Sequence, residues 1–172
     1  MEFVKIVKGV KMNDLVRLLD EAIAIEDNAS ELYRLYSNLF PEDEKDWHRL
    51  SEEEINHAQL LENTKRHAIE LSQNVVYPGY DMMRLVNKSI KEQIDNYQTM
   101  LEEGKMIDKF QAYFYALTLE QSAQEGYHWS RVINTPFIKV PAIVEVFREL
   151  TCMEMDHAKR IGGLMELTQY QK

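Results

Sequence analysis

The sequence is poor in the residues that form disulfides and tight turns. It has 172 residues but a single cysteine, Cys152, so no disulfide can form within the chain and cysteine-rich metal sites are excluded. Six glycines and four prolines leave little material for the turns of an all-β fold. A chain of this length buries roughly two-thirds of its unfolded surface, so one hydrophobic core is sufficient. We therefore expect one domain over residues 1–172.

Basic charge and long apolar runs are also scarce. The formal net charge of −9 argues against a nucleic-acid partner, because neutralising phosphates requires a basic surface. No apolar run approaches the ~20 residues of a transmembrane helix. Residues 1–12 also lack the continuous apolar core and cleavage site of a signal peptide. We therefore expect a cytoplasmic protein that binds neither nucleic acid nor a membrane.

What the sequence has in abundance is helical periodicity. Apolar residues recur at intervals of three and four almost throughout, which predicts an all-α fold. Asn13 is placed to cap the first helix, Pro41 to interrupt it, and Gly104 to end the third. Asp108 is a further N-cap, Pro141 suits a first turn, and Pro78-Gly79 marks a turn. We expect helices over about residues 13–40, 42–72, 81–103, 108–134 and from 141 onward.

Four of these helices each carry one glutamate inside the apolar stripe that would face the core. A buried carboxylate is costly, so it must be paired, protonated or bound to a cation. Each of these glutamates falls near the middle of its helix, and antiparallel neighbours bring their midpoints to one level. We expect the four carboxylates to converge: Glu26, Glu54, Glu120 and Glu154.

Two of the four glutamates are followed three residues later by a histidine, His57 and His157. Residues at i and i+3 share a helix face, so each pair can address one cation. Four carboxylates and two imidazoles supply three ligands for each of two divalent metals. Oxygen and nitrogen donors with open positions suit iron or manganese better than a closed zinc site.

The Glu-x-x-His spacing alone is weak support, because it can arise by chance. It occurs three times, against about half an occurrence expected from 20 glutamates and five histidines. The third pair, Glu125 and His128, begins five residues after Glu120, about 140° round the helix. We therefore interpret that pair as a solvated or interface pair.

An internal repeat favours the two-metal interpretation over a plain helical bundle. The second and last helices share the pattern Glu-x-x-His-Ala. The first and fourth helices share an alanine, a glutamate, an alanine and a tyrosine at the same spacings. These residues are Ala22, Glu26, Ala29 and Tyr33 in the first helix, and Ala116, Glu120, Ala123 and Tyr127 in the fourth. The hydroxyls of Tyr33 and Tyr127 either donate to ligand carboxylates on neighbouring helices or belong to ordinary core aromatics, and both alternatives stay open.

With these motifs the chain resembles the ferritin-like di-iron carboxylate superfamily, and within it the rubrerythrin branch, over about residues 13–170. The resemblance implies a ferritin-like four-helix bundle with a long crossover that carries an additional helix, here over 81–103. It implies two non-haem iron ions, with manganese or zinc as alternative occupants. The implied metal ligands are Glu26, Glu54, His57, Glu120, Glu154 and His157.

The sequence also departs from these relatives. A full rubrerythrin has a rubredoxin domain whose iron is held by four cysteines, so here the electron donor would be a separate, rubredoxin-like protein. Ala123 stands where rubrerythrin has a second glutamate, and Ile55 stands where bacterioferritin has a haem-binding methionine. We further expect a homodimer.

Three functions remain open at this point. The first is an oxidoreductase that reduces hydrogen peroxide or dioxygen at a carboxylate-bridged di-iron site, with Tyr33 and Tyr127 as supporting residues. The second is an iron-binding or ferroxidase protein for iron handling or storage. The third is a di-iron hydroxylase of small molecules, which would need an apolar tunnel to the metals.

Overall fold

The computed structural model describes residues 12–70, 80–105, 107–132 and 141–169. Within these ranges it describes only the backbone of residues 12–13, 80, 82, 125–132, 141–142 and 169. Five helices account for most of these residues, and the described part of the chain contains no strand. The predicted all-α helical bundle is confirmed. The helices are α1 (Met12–Leu39), α2 (Glu44–Glu70), α3 (Tyr80–Glu102), α4 (Lys109–Val132) and α5 (Pro141–Gln169).

The helix boundaries follow from local sequence signals at several places. Pro41 opens a short 3-10 turn, Pro41–Asp43, between α1 and α2. Asp108 and Gln111 form a reciprocal cap at the start of α4: the Gln111 backbone N–H donates to Asp108 Oδ1 at 2.8 Å, and the Asp108 N–H donates to Gln111 Oε1 at 3.0 Å. Asn13 lies inside α1 rather than before it, and the predicted turn at 78–79 falls outside the described residues.

Gly104 ends α3 in the way the sequence predicts. Its φ of 67° is a left-handed conformation that glycine adopts without steric cost. The Gly104 N–H donates to the Leu101 carbonyl and the Lys105 N–H donates to the Met100 carbonyl, both at 3.0 Å. These two bonds satisfy the last carbonyls of α3 and turn the chain toward α4.

The helices form two antiparallel hairpins and one additional helix. α1 packs along α2, α4 packs along α5, and α2 also touches α5. α3 packs against α4 and α1, so it lies on the outside of the four-helix arrangement, on the side away from the α2–α5 contact. This is the place expected for a helix in the crossover between two halves.

The core consists of two apolar clusters, one toward each end of the bundle. One cluster is aromatic: Trp47 stacks on Tyr113 with ring centroids 4.6 Å apart, and meets Tyr36 edge-on at 5.0 Å. The other cluster is mainly aliphatic and is built from both hairpins, with Leu15, Leu18, Leu19, Leu61, Phe147 and Leu150 among its members. The middle of the bundle, between the clusters, is where the mid-helix glutamates lie.

Within the part of the chain that the structure describes, no helix combines the length and the apolar character that crossing a membrane requires.

Replacing Trp47 should test how far the bundle depends on the aromatic cluster. Trp47 is fully buried, so Trp47→Ala should lower the free energy of unfolding of the metal-free protein by about 3–5 kcal/mol. Ile55→Ala is the control on the same helix, because Ile55 is 55% exposed and should change stability by at most about 0.5 kcal/mol. Denaturant unfolding of both variants measures the difference; equal losses would contradict the packing described here.

Candidate metal centre

Four helices bring six titratable side chains together at the middle of the bundle. Each of these residues is at most 3% exposed, although carboxylates and imidazoles are seldom fully buried. The mid-helix glutamates expected to converge therefore do so. The six are Glu26 from α1, Glu54 and His57 from α2, Glu120 from α4, and Glu154 and His157 from α5.

The centre of this group is made by the two Glu-x-x-His motifs. Glu54, His57, Glu154 and His157 each offer one ligand atom, and these four atoms all lie within 4.8 Å of one another. All four side chains are buried. This group could hold a metal ion.

The two motif glutamates each contact both imidazoles. Glu54 Oε2 lies 2.9 Å from His57 Nδ1, and Glu54 Oε1 lies 2.9 Å from His157 Nδ1. Glu154 Oε1 lies 3.1 Å from His57 Nδ1, and Glu154 Oε2 lies 3.9 Å from His157 Nδ1. The imidazole rings are stacked, with centroids 5.0 Å apart. Each carboxylate therefore presents one oxygen to each histidine.

The two remaining glutamates each approach a different histidine. Glu26 Oε2 lies 3.9 Å from His57 Nδ1, and Glu120 Oε2 lies 3.3 Å from His157 Nδ1. The site thus divides into two similar halves that share the motif carboxylates. The His57 half is His57, Glu26, Glu54 Oε2 and Glu154 Oε1, and the His157 half is His157, Glu120, Glu54 Oε1 and Glu154 Oε2.

The orientation of the buried atoms fits metal ligands better than hydrogen-bond partners. Glu54 Oε1, His57 Nδ1 and Glu154 Oε1 make no hydrogen bond to any described residue, although they have neighbours at 2.9–3.1 Å. Ligands with bonds of about 2.1 Å to one ion lie about 3 Å apart and point at the ion rather than at each other. The donor set therefore fits a cation.

The electrostatics of the group also favour a cation. Burial raises the pKa of Glu26 to about 7, and the negative charge of Glu54 adds to this effect. The same two causes raise the pKa of Glu154 well above its usual range. Burial opposes ionisation of Glu54, but the adjacent imidazoles of His157 and His57 outweigh it and lower its pKa to about 2. Against burial, the carboxylates raise the pKa of His157 to about 9 and that of His57 above its usual range.

A tyrosine supports one of the carboxylates from the neighbouring helix. The Tyr33 hydroxyl on α1 donates a hydrogen bond to Glu120 Oε1 on α4. Burial and the nearby carboxylates raise the pKa of Tyr33 well above its usual range, so the hydroxyl keeps its proton and stays a donor. The side chains of Tyr127, Glu125 and His128 lie outside the described residues.

Glu53 is a residue that the sequence reasoning missed. Its Oε2 lies 3.3 Å from His157 Nε2, and it pairs with Arg160 at 2.5 Å and with Arg49 at 3.1 Å. Partial burial tends to raise the pKa of Glu53, but the two guanidinium groups outweigh it and hold that pKa below its usual range. Glu53 lies about 100° round α2 from Glu54, on a different face from the ligand stripe. The periodicity that identifies the ligands therefore gives no signal for Glu53.

Two cavities reach the site from opposite sides. A groove of about 390 Å³ between α2 and α5 runs from solvent to both imidazoles, and acidic side chains line it: Glu53, Glu149 and Asp156, together with Arg160 and the exposed Cys152. On the other side, α3 places Ile90 and Ile94 over the carboxylates and leaves a cavity of about 10 Å³. That is room for about one water molecule.

A groove in the described part of the chain that is larger than either of these cavities does not belong to the site. It has a volume of about 740 Å³, lies between α1 and α3, and contains none of the six buried residues. The chemistry of the side chains, rather than cavity size, therefore identifies the candidate centre.

No protein-family model, curated protein or solved structure matches the chain. The interpretation of the centre accordingly depends on the side-chain geometry described above.

The metal-free protein should lose stability as the pH rises. Glu26 takes up a proton on folding between pH 4.5 and about 7, so folding is favoured less as the pH rises through that window. The stabilisation from His157 is present below pH 6.5 and is lost as the pH rises to about 9. Each pKa unit is worth about 1.4 kcal/mol, so the shifts of these two groups together correspond to a loss of roughly 7 kcal/mol.

Thermal melts of chelator-treated protein between pH 5 and pH 9 measure this dependence. Glu26→Gln should flatten the part of this dependence that lies between pH 5 and 7, whereas Glu52→Gln, at an exposed carboxylate on α2, should not. A stability that increases with pH across this range would contradict the assignment.

Replacing Glu120 should separate metal binding from folding. Glu120→Gln should abolish tight binding of at least one metal, because the site loses a charged oxygen ligand. The same change should stabilise the metal-free form, because it removes one of four carboxylates in a buried compartment. Melts with and without iron(II) measure both effects. Glu52→Gln should show neither, and metal retention by Glu120→Gln would show that the ligand face of α4 is wrong.

Proposed function

We propose that the protein is a non-haem di-iron oxidoreductase that reduces hydrogen peroxide or dioxygen, as its resemblance to the rubrerythrins implies. One observation carries the proposal. Glu54 and Glu154 each present one oxygen to each histidine, an arrangement that supports two similar positions for a cation. A carboxylate that offers a separate oxygen to each of two imidazoles can bridge two cations.

The donor set supports iron as the metal. Each half offers one imidazole nitrogen, one carboxylate of its own and an oxygen from each shared carboxylate, with no thiolate among them. Oxygen and nitrogen donors of this kind suit iron and manganese, whereas structural zinc sites are usually closed and often contain cysteine. When bound, two ferrous ions would act as Lewis acids and supply the two electrons that peroxide reduction requires.

The side chains around the ions would hold ligands and protons in place. In the net reaction, hydrogen peroxide takes up two electrons and two protons and becomes two water molecules. A separate rubredoxin-like protein would then return two electrons to the iron site. Tyr33 would keep Glu120 oriented through the hydrogen bond that its hydroxyl donates to Glu120 Oε1.

The space beside the carboxylates supports a small oxidant over an organic substrate. Ile90 and Ile94 are buried against this side of the site and leave a cavity of about 10 Å³. A hydroxylase needs room for its organic substrate beside the metals, whereas peroxide or dioxygen is close to the size of a water molecule. We therefore place hydroxylation last among the three functions.

A specific observation also favours iron handling as a second candidate. The groove between α2 and α5 connects solvent with both imidazoles, and three carboxylates against one guanidinium line it. An acidic groove concentrates cations and would serve metal exchange. The two candidates make different demands on the bound iron: an enzyme keeps it, and a storage protein passes it on.

A peroxide turnover assay, combined with a measurement of the iron bound per chain, separates the oxidoreductase from the iron-handling protein. Protein loaded anaerobically with iron(II) should bind two ions per chain and then reduce many equivalents of hydrogen peroxide with an artificial reductant while the two ions stay bound. Glu154→Gln should lose this activity, because both halves share its carboxylate. Iron uptake far beyond two per chain, without peroxide turnover, would replace the enzyme proposal by storage.

A further inference from the structure

The two halves of the site differ in what lies behind the histidines. The internal repeat pairs each residue of α2 with the residue 100 positions later in α5, as it pairs Glu54 with Glu154 and His57 with His157. The residue before the motif breaks this symmetry. It is Glu53 in α2 but Met153 in α5.

Glu53 reaches the outer nitrogen of the histidine on the opposite hairpin. Its Oε2 lies 3.3 Å from His157 Nε2, while His157 Nδ1 faces the carboxylates of the site. Arg160 and Arg49 hold the Glu53 carboxylate at 2.5 Å and 3.1 Å. Arg160 also lies 3.1 Å from Asp156, which is exposed, so the row of alternating charges extends from His157 to solvent.

His57 has no such support among the described residues. Its ion-pair contacts are all made through Nδ1, and neither a hydrogen bond nor an ion pair from the described part of the chain reaches Nε2. Met153, which corresponds to Glu53 in the repeat, lines the same groove but has only a thioether, a weak acceptor. The repeat also replaces the two arginines that hold Glu53, because Glu149 and Leu60 stand at the positions that correspond to Arg49 and Arg160.

A carboxylate behind an imidazole changes how well it binds a metal. It fixes the tautomer with the proton on Nε2, directs the Nδ1 lone pair into the site and raises the basicity of that nitrogen. Loss of such a partner typically costs 10–100-fold in metal affinity. The histidine that has the partner should therefore bind its ion more tightly than the one that lacks it.

We propose that the two metal positions are unequal: the His157 half binds its ion tightly and fills first, and the His57 half binds a weaker, exchangeable ion. Glu53 is the positioning residue that creates the difference. The inference rests on the proposed two-metal site and adds an order of loading to it. At limiting iron the protein would hold one ion, in the His157 half.

A cobalt(II) titration followed by absorbance and by calorimetry tests the order of loading. The wild-type chain should bind two ions in two steps whose affinities differ by about 10-fold or more. Glu53→Gln should weaken the first step by about 10–100-fold and leave the second unchanged. It should also change the cobalt(II) absorption of the first ion, which a loss of overall stability would not do.

The repeat offers a matched gain-of-function variant. Met153→Glu combined with Glu149→Arg gives α5 the pair that Arg49 and Glu53 form on α2, so it should strengthen the second step and bring the two affinities together. Glu52→Gln, with the same loss of charge at an exposed position on α2, should alter neither step. Thermal melts of the metal-free variants show whether each one folds, and Glu53→Gln alone decides the test if the double variant does not.

The outcomes distinguish this inference from the proposed function. Two equal steps in the wild-type chain, or equal weakening of both steps by Glu53→Gln, would overturn the unequal halves and leave the two-metal site intact. Failure of the wild-type chain to bind a second ion at any concentration would overturn the two-metal site itself.

Discussion

The structure depends on burying four carboxylates between two apolar clusters at the middle of one bundle. Like charges at this separation cannot all ionise without compensation, and the two imidazoles supply only part of it. The clusters on either side, built around Trp47 and around Leu61 and Phe147, provide the packing that offsets this cost. The polar layer is therefore the least stable part of the core and the part that a cation would stabilise most.

Helix geometry accounts for the arrangement of the ligands. The i, i+3 spacing puts a carboxylate and an imidazole on one face of α2 and again on one face of α5, and the contact between these helices makes the carboxylates common to both histidines. α1 and α4 then add one glutamate each. α3 has no ligand among its described residues, yet its isoleucines determine how much space remains beside the carboxylates.

Much of the fold and the convergence of the glutamates could be predicted from sequence, because both follow from local rules. Periodicity predicts the helices, Asp108 and Gly104 predict two of their ends, and mid-helix placement predicts that Glu26 and Glu120 meet the motifs. Contacts between side chains far apart in sequence could not be predicted. Glu53 and Arg160 are separated by 107 residues, and no pattern in either helix identifies the other partner. The donor types also leave more than one metal open, because iron and manganese accept the same oxygens and nitrogens.

The division of the site has a consequence for how such a protein could have arisen. Each hairpin contributes one complete set of an imidazole, its own glutamate and a shared carboxylate, so two identical hairpins facing each other would make the same site with exact twofold symmetry. In such an ancestor every residue would appear twice, and the positions of Glu53 and Met153 would have to be alike. Only after the hairpins were joined into one chain could the two sides be selected separately, so the unmatched pair is a property that a fused gene can have and a dimer of identical hairpins cannot.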